Sequence, residues 1–234
     1  MGLDATLQDI SAVNGWLSDA QATRLWSRAS ELQPPATIVE IGSFQGRSTI
    51  VLARAAAEGI ELTAIDPHAG NDRGPQEFEG YEAEAANDNA VFNENLRVAG
   101  VIDRVRHVRK LSDAAHDDVD GDIDLLYIDG AHRYRPALGD IREWGARVRP
   151  GGTMLIHDSF SSIGVTLAIG RQLFAGTDFR YVGRSGSMTE YRREAPSSVA
   201  SNALRQAAQL PWFAKNVVLK GLIAAKILDR PWPY

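Results

Sequence analysis

The feature that most constrains this chain is its alternation of short apolar runs with helical segments. Thr37–Ile41 is a β-branched run that gives way to glycines and then to an Ala-rich stretch over 47–58, the pattern of strand, tight turn and helix. The pattern recurs. Strands are expected at 61–66, 104–109, Ile123–Ile128 and 153–156, and helices at Asp88–Val98, 133–147 and 162–174. An earlier helix starts at Ser18 as N-cap, runs to about Leu32 and is stopped by Pro34-Pro35; Pro150-Gly151-Gly152 stops the one before the fifth strand. The runs 179–182 and Met188–Arg192 are too close for a crossover helix between them, so this last pair is expected to be antiparallel. Alternating βα units imply an α/β fold, a doubly wound sheet with helices on both faces.

Two stretches stand outside the repeat. Residues 67–87 form a long loop rich in Gly, Asn and Glu, of the length and polarity of a lid. Residues 197–234 are helical in pattern and broken at Pro211. The expected division is a main domain over 1–195 and a helical C-terminal extension over 196–234. Within the extension, Phe213, Val217, Val218, Leu222, Ile223 and Ile227 recur at largely helical spacing among Lys215, Lys220 and Lys226. Packing on the domain or on a second copy is expected in preference to membrane contact, which makes a homodimer the expected assembly.

Composition removes several functions. With no cysteine, a disulfide scaffold, a zinc ribbon and a thiol nucleophile are all excluded. A net charge of -5 argues against a general nucleic-acid binder. The N-terminal residues carry neither a basic n-region nor an apolar segment, so a cytoplasmic location is expected.

In doubly wound sheets ligands bind outside the carboxyl ends of the strands. Four chemically rich spots fall there: 41–46, 66–68, 129–132 and 157–160. In the first, Gly42 and Gly46 allow close backbone approach at a helix N-terminus, but Ser43-Phe44 occupies the place where a second glycine would face a pyrophosphate. Glu40, two residues earlier, would repel phosphate and can hold a cationic amine, directly or through water. Asp66, at the end of the second strand, is placed to take both hydroxyls of a ribose. Alone, either acid is as well explained by solvation at a strand end. Together they call for a ligand with a ribose, a cationic end and no phosphate, which describes S-adenosylmethionine (SAM).

Glu40-x-Gly42-x-x-x-Gly46, Ile65-Asp66, Leu125-Leu126-Tyr127-Ile128-Asp129-Gly130 and Pro150-Gly151-Gly152, in that order, resemble the class I SAM-dependent methyltransferases over residues 37–192. The resemblance implies a Rossmann-like seven-stranded sheet with its last strand antiparallel, preceded by an N-terminal helix. It also implies that Glu40, Gly42, Ser43, Gly46 and Ser48 line the methionine end of the cofactor, that Asp66 takes the ribose, and that Ser112 and Asp113 lie beside the adenine.

Asp129 and Asp158 follow neighbouring strands and can share one hard cation, with magnesium the default. An aliphatic hydroxyl is a poor acid, so its methylation needs a group to take its proton, and His132, three residues beyond Asp129, can face the same cavity. This constellation resembles the metal-dependent methyltransferases of sugar hydroxyls. It implies Asp129 and Asp158 as metal ligands and His132 as general base, with a sugar as acceptor; in its finest form, the 1-hydroxyl of a short 3-O-methylated mannoside. His157 stands where that family has a second acid, so it enters the ligand set as a substitute. Arg133 and Tyr134, just past the metal segment, are candidates for contact with the sugar; a polar helix start explains them equally well. The alternatives are a catechol-type methyltransferase, which would use lysine chemistry that neither metal segment contains, and a non-catalytic SAM- or nucleoside-binding module.

Overall fold

The computed structural model describes residues 1–68 and 87–228. Strands β1 (Thr37–Ile41), β2 (Glu61–Ile65), β3 (Arg106–Val108), β4 (Ile123–Ile128), β5 (Val148–Ile156), β6 (Arg180–Ser185) and β7 (Met188–Arg192) form one sheet in the order β3-β2-β1-β4-β5-β7-β6. β1 to β5 pair in parallel, and β7 runs antiparallel between β5 and β6. The expected Rossmann-like sheet with its last strand antiparallel is therefore present. The short 186–187 turn allows β6 only a hairpin with β7, and β7 in turn completes β5.

The strands divide their side chains between two layers with period two. Val39, Ile41, Leu126, Ile128, Met154 and Ile156 join Trp144, Phe160 and Tyr191 on one face. Ile38, Leu125, Tyr127 and Leu155 join Leu25, Leu52 and Phe92 on the other. Helices α1 (Leu3–Ile10), α2 (Asp19–Ser30), α3 (Arg47–Ala55) and α4 (Asp88–Val98) contribute to this second layer. α5 (Tyr134–Gly139) and α6 (Ile163–Gln172) contribute to the first. α2 begins with a capping box in which the Ser18 N–H donates to Gln21 Oε1 at 2.8 Å. Its Arg24 and Arg28 pair with the buried Glu190 of β7 and tie α2 to the β7 end of the sheet.

Three expectations change in detail. α1 is an additional helix, short and without a side-chain cap, which left no start signal in the sequence. The helix expected over 133–147 is a composite: α5, then a wider π turn over Asp140–Trp144, then a 3-10 turn over Gly145–Arg147. β5 starts at Val148, five residues before the expected start, because Pro150-Gly151-Gly152 forms an irregularity in the strand where a break was expected. Of the expected lid, residues 69–86 lie outside the described residues.

The C-terminal residues form α7 (Val199–Ala207) and α8 (Leu210–Ala224), with Pro211 in the first turn of α8. α7 is bound to the sheet through buried amides: Asn202 Nδ2 donates to the Phe179 carbonyl at 3.1 Å, and the Tyr181 N–H donates to Asn202 Oδ1 at 2.8 Å. Gln206 Nε2 donates to the Leu173 carbonyl at 3.1 Å. Trp212 and Phe213 of α8 pack on the core, and Asn216 Nδ2 donates to the Phe160 carbonyl at 3.2 Å. Among the described residues no helix is long and apolar enough to cross a membrane.

Candidate active site

A cavity of about 680 Å³ opens at the carboxyl ends of β1, β2 and β4. Its floor is the turn after β1. Gly42 has φ +86°, and a Cβ there would lie 2.3 Å from the Asp129 carbonyl oxygen, so only glycine lets the ends of β1 and β4 approach. The Phe44 N–H donates to Asp66 Oδ2 and the His68 N–H to Asp66 Oδ1, each at 2.8 Å. Two backbone donors thus fix the Asp66 carboxylate in the cavity wall and leave it lone pairs for hydroxyl donors. His68 itself lines the cavity, and its Nε2 lies 3.0 Å from Nε2 of His107. Burial lowers the pKa of both rings.

Glu40 is placed differently from its expected role. It is fully buried behind the turn, where both carboxylate oxygens accept hydroxyl hydrogen bonds, one from Ser48 and one from Thr49 at 2.5 Å. Burial pushes its pKa up to about 8 against the pull of those two hydroxyls. Glu40 itself is outside the cavity lining, whereas Ser48, which donates to it, lines the cavity. Ser43 lines it too, with its Oγ buried and without a hydrogen-bond partner. Gly46 is the N-cap of α3, which no side chain caps.

The opposite wall holds Ser112 and Asp113, on a short 3-10 turn. Ser112 Oγ donates to Asp140 Oδ1 at 2.6 Å, and Trp144 Nε1 donates to the Ser112 carbonyl at 3.2 Å. Asp140 is a cavity residue that sequence reasoning missed. It lies in the π turn, and burial raises its pKa to about 6. A lone acid in an apparently regular amphipathic helix carries no signal. The loop 14–17 was missed as well: Trp16 lies against Phe44 with ring centroids 5.3 Å apart.

At the ends of β4 and β5, one ligand atom each from Asp129, His132 and Asp158 lies within 4.8 Å of the others. Tyr127 OH donates to Asp129 Oδ2 at 3.0 Å, leaving Oδ1 buried and without a hydrogen bond. His132 Nε2 is 2.7 Å from Asp158 Oδ2 but out of line for a hydrogen bond. The donor set, two carboxylates and one imidazole, fits a hard divalent cation. Asp158 has φ +53°, a strained backbone of the kind found at functional sites.

His157 stands apart from that trio. Its Nδ1 lies 3.1 Å from both Asp129 Oδ1 and Asp158 Oδ2. Burial opposes charge on this ring, but the two carboxylates outweigh it and push its pKa up to about 10. A protonated Nδ1 offers no lone pair to a cation; it donates to Asp158 Oδ2 and lies beside Asp129 Oδ1, while the trio is made up of Asp129, His132 and Asp158. Arg133 lines the cavity, whereas Tyr134 is outside its lining and 38% exposed.

A family model described as a methyltransferase domain matches residues 39–159. The Sinorhizobium fredii protein y4gI, described as uncharacterized, is 30% identical over 129 residues, which are 53% of this chain and 13% of that protein. Among solved structures, cofactor-bound Rv0187 from MTB is similar with a TM-score of 0.59 at 22% identity, covering 83% of this chain and 90% of that one. The O-methyltransferase TomG of Streptomyces achromogenes, in complex with SAM, has a TM-score of 0.55 at 20% identity over 82% and 89% of the two chains. An O-methyltransferase from Bacillus cereus has a TM-score of 0.52 at 18% identity over 81% and 88%.

Proposed function

The chain belongs to the methyltransferase-domain family, and on that premise we propose that it transfers the methyl group of SAM to a sugar hydroxyl, aided by a divalent cation. The observation that carries this reading is the cluster of Asp129, His132 and Asp158, which shares Asp129 with the cavity containing Asp66 and the turn after β1. An enzyme that methylates an amine has less need of such a cluster than one that must deprotonate an alcohol. The fold-level likeness to O-methyltransferases, one of them in complex with SAM, agrees with it.

In this reading Asp66 accepts the ribose hydroxyls, and Ser112 and Asp113 border the adenine. When bound, SAM supplies a methyl carbon made electrophilic by its sulfonium. Asp129 and Asp158 are the residues that would hold the cation, which would lower the pKa of the acceptor hydroxyl. His132 Nε2 would take the hydroxyl proton as the C–O bond forms and the methyl–sulfur bond breaks, its electron pair staying on sulfur to leave S-adenosylhomocysteine, and Asp158 beside it would stabilise the resulting imidazolium. A histidine cannot ligate and take a proton through the same nitrogen, so His132 is assigned to the base and the cation to the two carboxylates. Arg133 is the proposed acceptor contact at the rim. The finest form of the reading names the 1-hydroxyl of a short 3-O-methylated mannoside, as in methylmannose polysaccharide biosynthesis; it rests on resemblance alone.

The position of His157 favours a second reading, in which its charge compensates the two acids and methyl transfer needs no metal. One assay separates the possibilities. The protein is incubated with SAM and, separately, mannosides, other neutral sugars and catechols, after exhaustive chelation and again with added magnesium. Magnesium-dependent formation of methylated mannoside and S-adenosylhomocysteine is the expected result. Activity that survives chelation selects the second reading, catechol methylation alone overturns the sugar acceptor, and SAM binding without turnover on any acceptor would indicate a binding module.

A further inference from the structure

The turn that carries Asp158 is gripped from outside its own elements. Asp158 (φ +53°) and Phe160 (φ +55°) both adopt the left-handed region, and for a side chain as bulky as phenylalanine that conformation is costly. Such a backbone persists only where its surroundings over-determine it. Inside the turn, the Ser161 and Ser162 N–H groups donate to the Asp158 carbonyl at 3.2 and 2.9 Å. From outside, the Ser159 N–H donates to the Ser187 carbonyl at 2.8 Å, and Ser159 Oγ lies 2.7 Å from Oγ1 of Thr189 on β7. A further grip comes from beyond the sheet: Asn216 Nδ2 of α8 donates to the Phe160 carbonyl at 3.2 Å.

Of the residues of α8, the fully buried one is polar. Asn216 is 2% exposed, on a helix that packs on the core through Trp212 and Phe213. A leucine of similar shape would bury there without the cost of desolvating an amide, so the amide is explained by what it binds. What it binds is the backbone two residues beyond Asp158, whose Oδ2 lies 2.7 Å from His132 Nε2. The same turn reaches the His132 segment a second way, through Ser162 Oγ, which donates to the His132 carbonyl at 3.3 Å. We propose that Asn216 is a positioning residue: by holding the Phe160 carbonyl it keeps the turn in its strained form and the Asp158 carboxylate in the cluster with Asp129 and His132. Without the amide, Phe160 relaxes toward a negative φ, and the Asp158 backbone that bonds to Ser161 and Ser162 moves with it. The inference rests on the catalytic reading of that cluster and adds to it a residue and a dependence: α8, beyond the last strand, completes the site.

The chain has five histidines, few enough for each ring to be followed by nitrogen-15 NMR of the histidine-labelled full chain. Asn216→Leu should shift the ring signals of His132 and His157, the two rings at the Asp158 carboxylate, and leave those of His68, His107 and His116 in place. Asn216→Gln, which keeps an amide donor, should return part of the shift. Phe213→Leu, which trims the packing of the same helix and keeps the amide, should lower the melting temperature and move none of the five signals. Should Asn216→Leu fail to fold, Asn216→Ser, polar but too short to reach the carbonyl, carries the same comparison. On the acceptor that the wild type methylates, kcat of the variant should fall by ~10-fold or more with the KM for SAM unchanged, since a misplacement of about 1 Å can cost ~10²-fold. Ring signals of His132 and His157 that stay at their wild-type positions overturn the proposal, as does an unchanged kcat. So does a Phe213→Leu protein that shifts the two rings equally far, because the turn would then answer to the packing of α8 and not to the amide. A wild type that methylates no acceptor overturns the catalytic reading instead, and the ring signals still decide whether Asn216 holds Asp158.

Discussion

Two residues, the half-buried His132 and the fully buried Glu40, give the sharpest predictions. His132 is half-buried with its Nε2 beside Asp158, so His132→Ala should lower turnover by ~10²–10⁴-fold while leaving S-adenosylhomocysteine affinity intact. Steady-state kinetics and calorimetry on the same preparation check both halves; unchanged turnover would remove His132 from the chemistry. Glu40 has a folded-state pKa raised by burial from 4.5 to about 8. A carboxyl with a raised pKa binds its proton more tightly in the folded than in the unfolded chain. Its contribution to stability is therefore present below the unfolded value and lost as pH rises toward 8, at up to ~1.4 kcal/mol per pH unit. Glu40→Gln removes that dependence, so the denaturation midpoint of the variant should gain on the wild type as pH is raised from 5 to 8. A constant difference would show that the carboxylate is ionised throughout. Both residues were legible as site residues, because acids and histidines at strand ends are visible in the chain. Which way they face was not: Glu40 points inward because Ser48 and Thr49, in the first turn of α3, offer two hydroxyls there.

At the scale of elements, the strands were legible wherever their apolar runs were bounded by turn residues, as for β1 and β4. The exceptions have local causes. Pro150-Gly151-Gly152 has the signature of a stop, yet the backbone on either side continues to pair with neighbouring strands, so β5 passes through it. The composite segment after Asp129 hides from periodicity, because the π turn shifts the register that a regular helix would keep and thereby points Asp140 into the cavity. α6 has a further positioning role that no motif announces. Its second residue, Gly164, lies against the backbone of the base segment, where a Cβ would meet the His132 carbonyl at 2.1 Å and the Tyr134 nitrogen at 2.7 Å. Ser162 Oγ, just before the helix, donates to that same carbonyl at 3.3 Å. Gly164→Ala must therefore push the His132 segment away from α6. Its expected signature is a drop in kcat with S-adenosylhomocysteine affinity preserved, together with a stability loss of ~1–3 kcal/mol. If kcat stays at the wild-type value while stability falls, the contact serves packing alone.

For the whole molecule, the question is whether the C-terminal helices are an appendage or part of the domain. Periodicity marked them as helices outside the βα repeat, and so placed a boundary at residue 195. The hydrogen bonds cross that boundary. Asn202 and Gln206 satisfy backbone groups of Phe179, Tyr181 and Leu173, and Tyr191 OH, at the centre of the first core layer, donates to Gln206 Oε1 at 3.1 Å. Amides of this kind look like surface residues in a sequence, which is why the tie was not legible. Two truncations separate the roles of α7 and α8. Ending the chain after Ala195 leaves those backbone groups unpaired at ~1–3 kcal/mol each and uncovers Tyr191, so cooperative unfolding should be lost or the protein should aggregate. Ending it after Gln209 keeps α7 and removes Trp212 with its Arg184 contact, Phe213 and the Asn216 hydrogen bond, so a cooperative but lower melting transition should remain. The same shorter chain tests the proposed homodimer. α8 carries Val218 on its outer side at 61% exposure, and if that face joins two copies, the mass in solution should fall from dimer to monomer when α8 is removed. A dimer that survives the loss of α8 would place the interface elsewhere, and a full-length monomer would leave α8 to act within its own chain, beside Phe160.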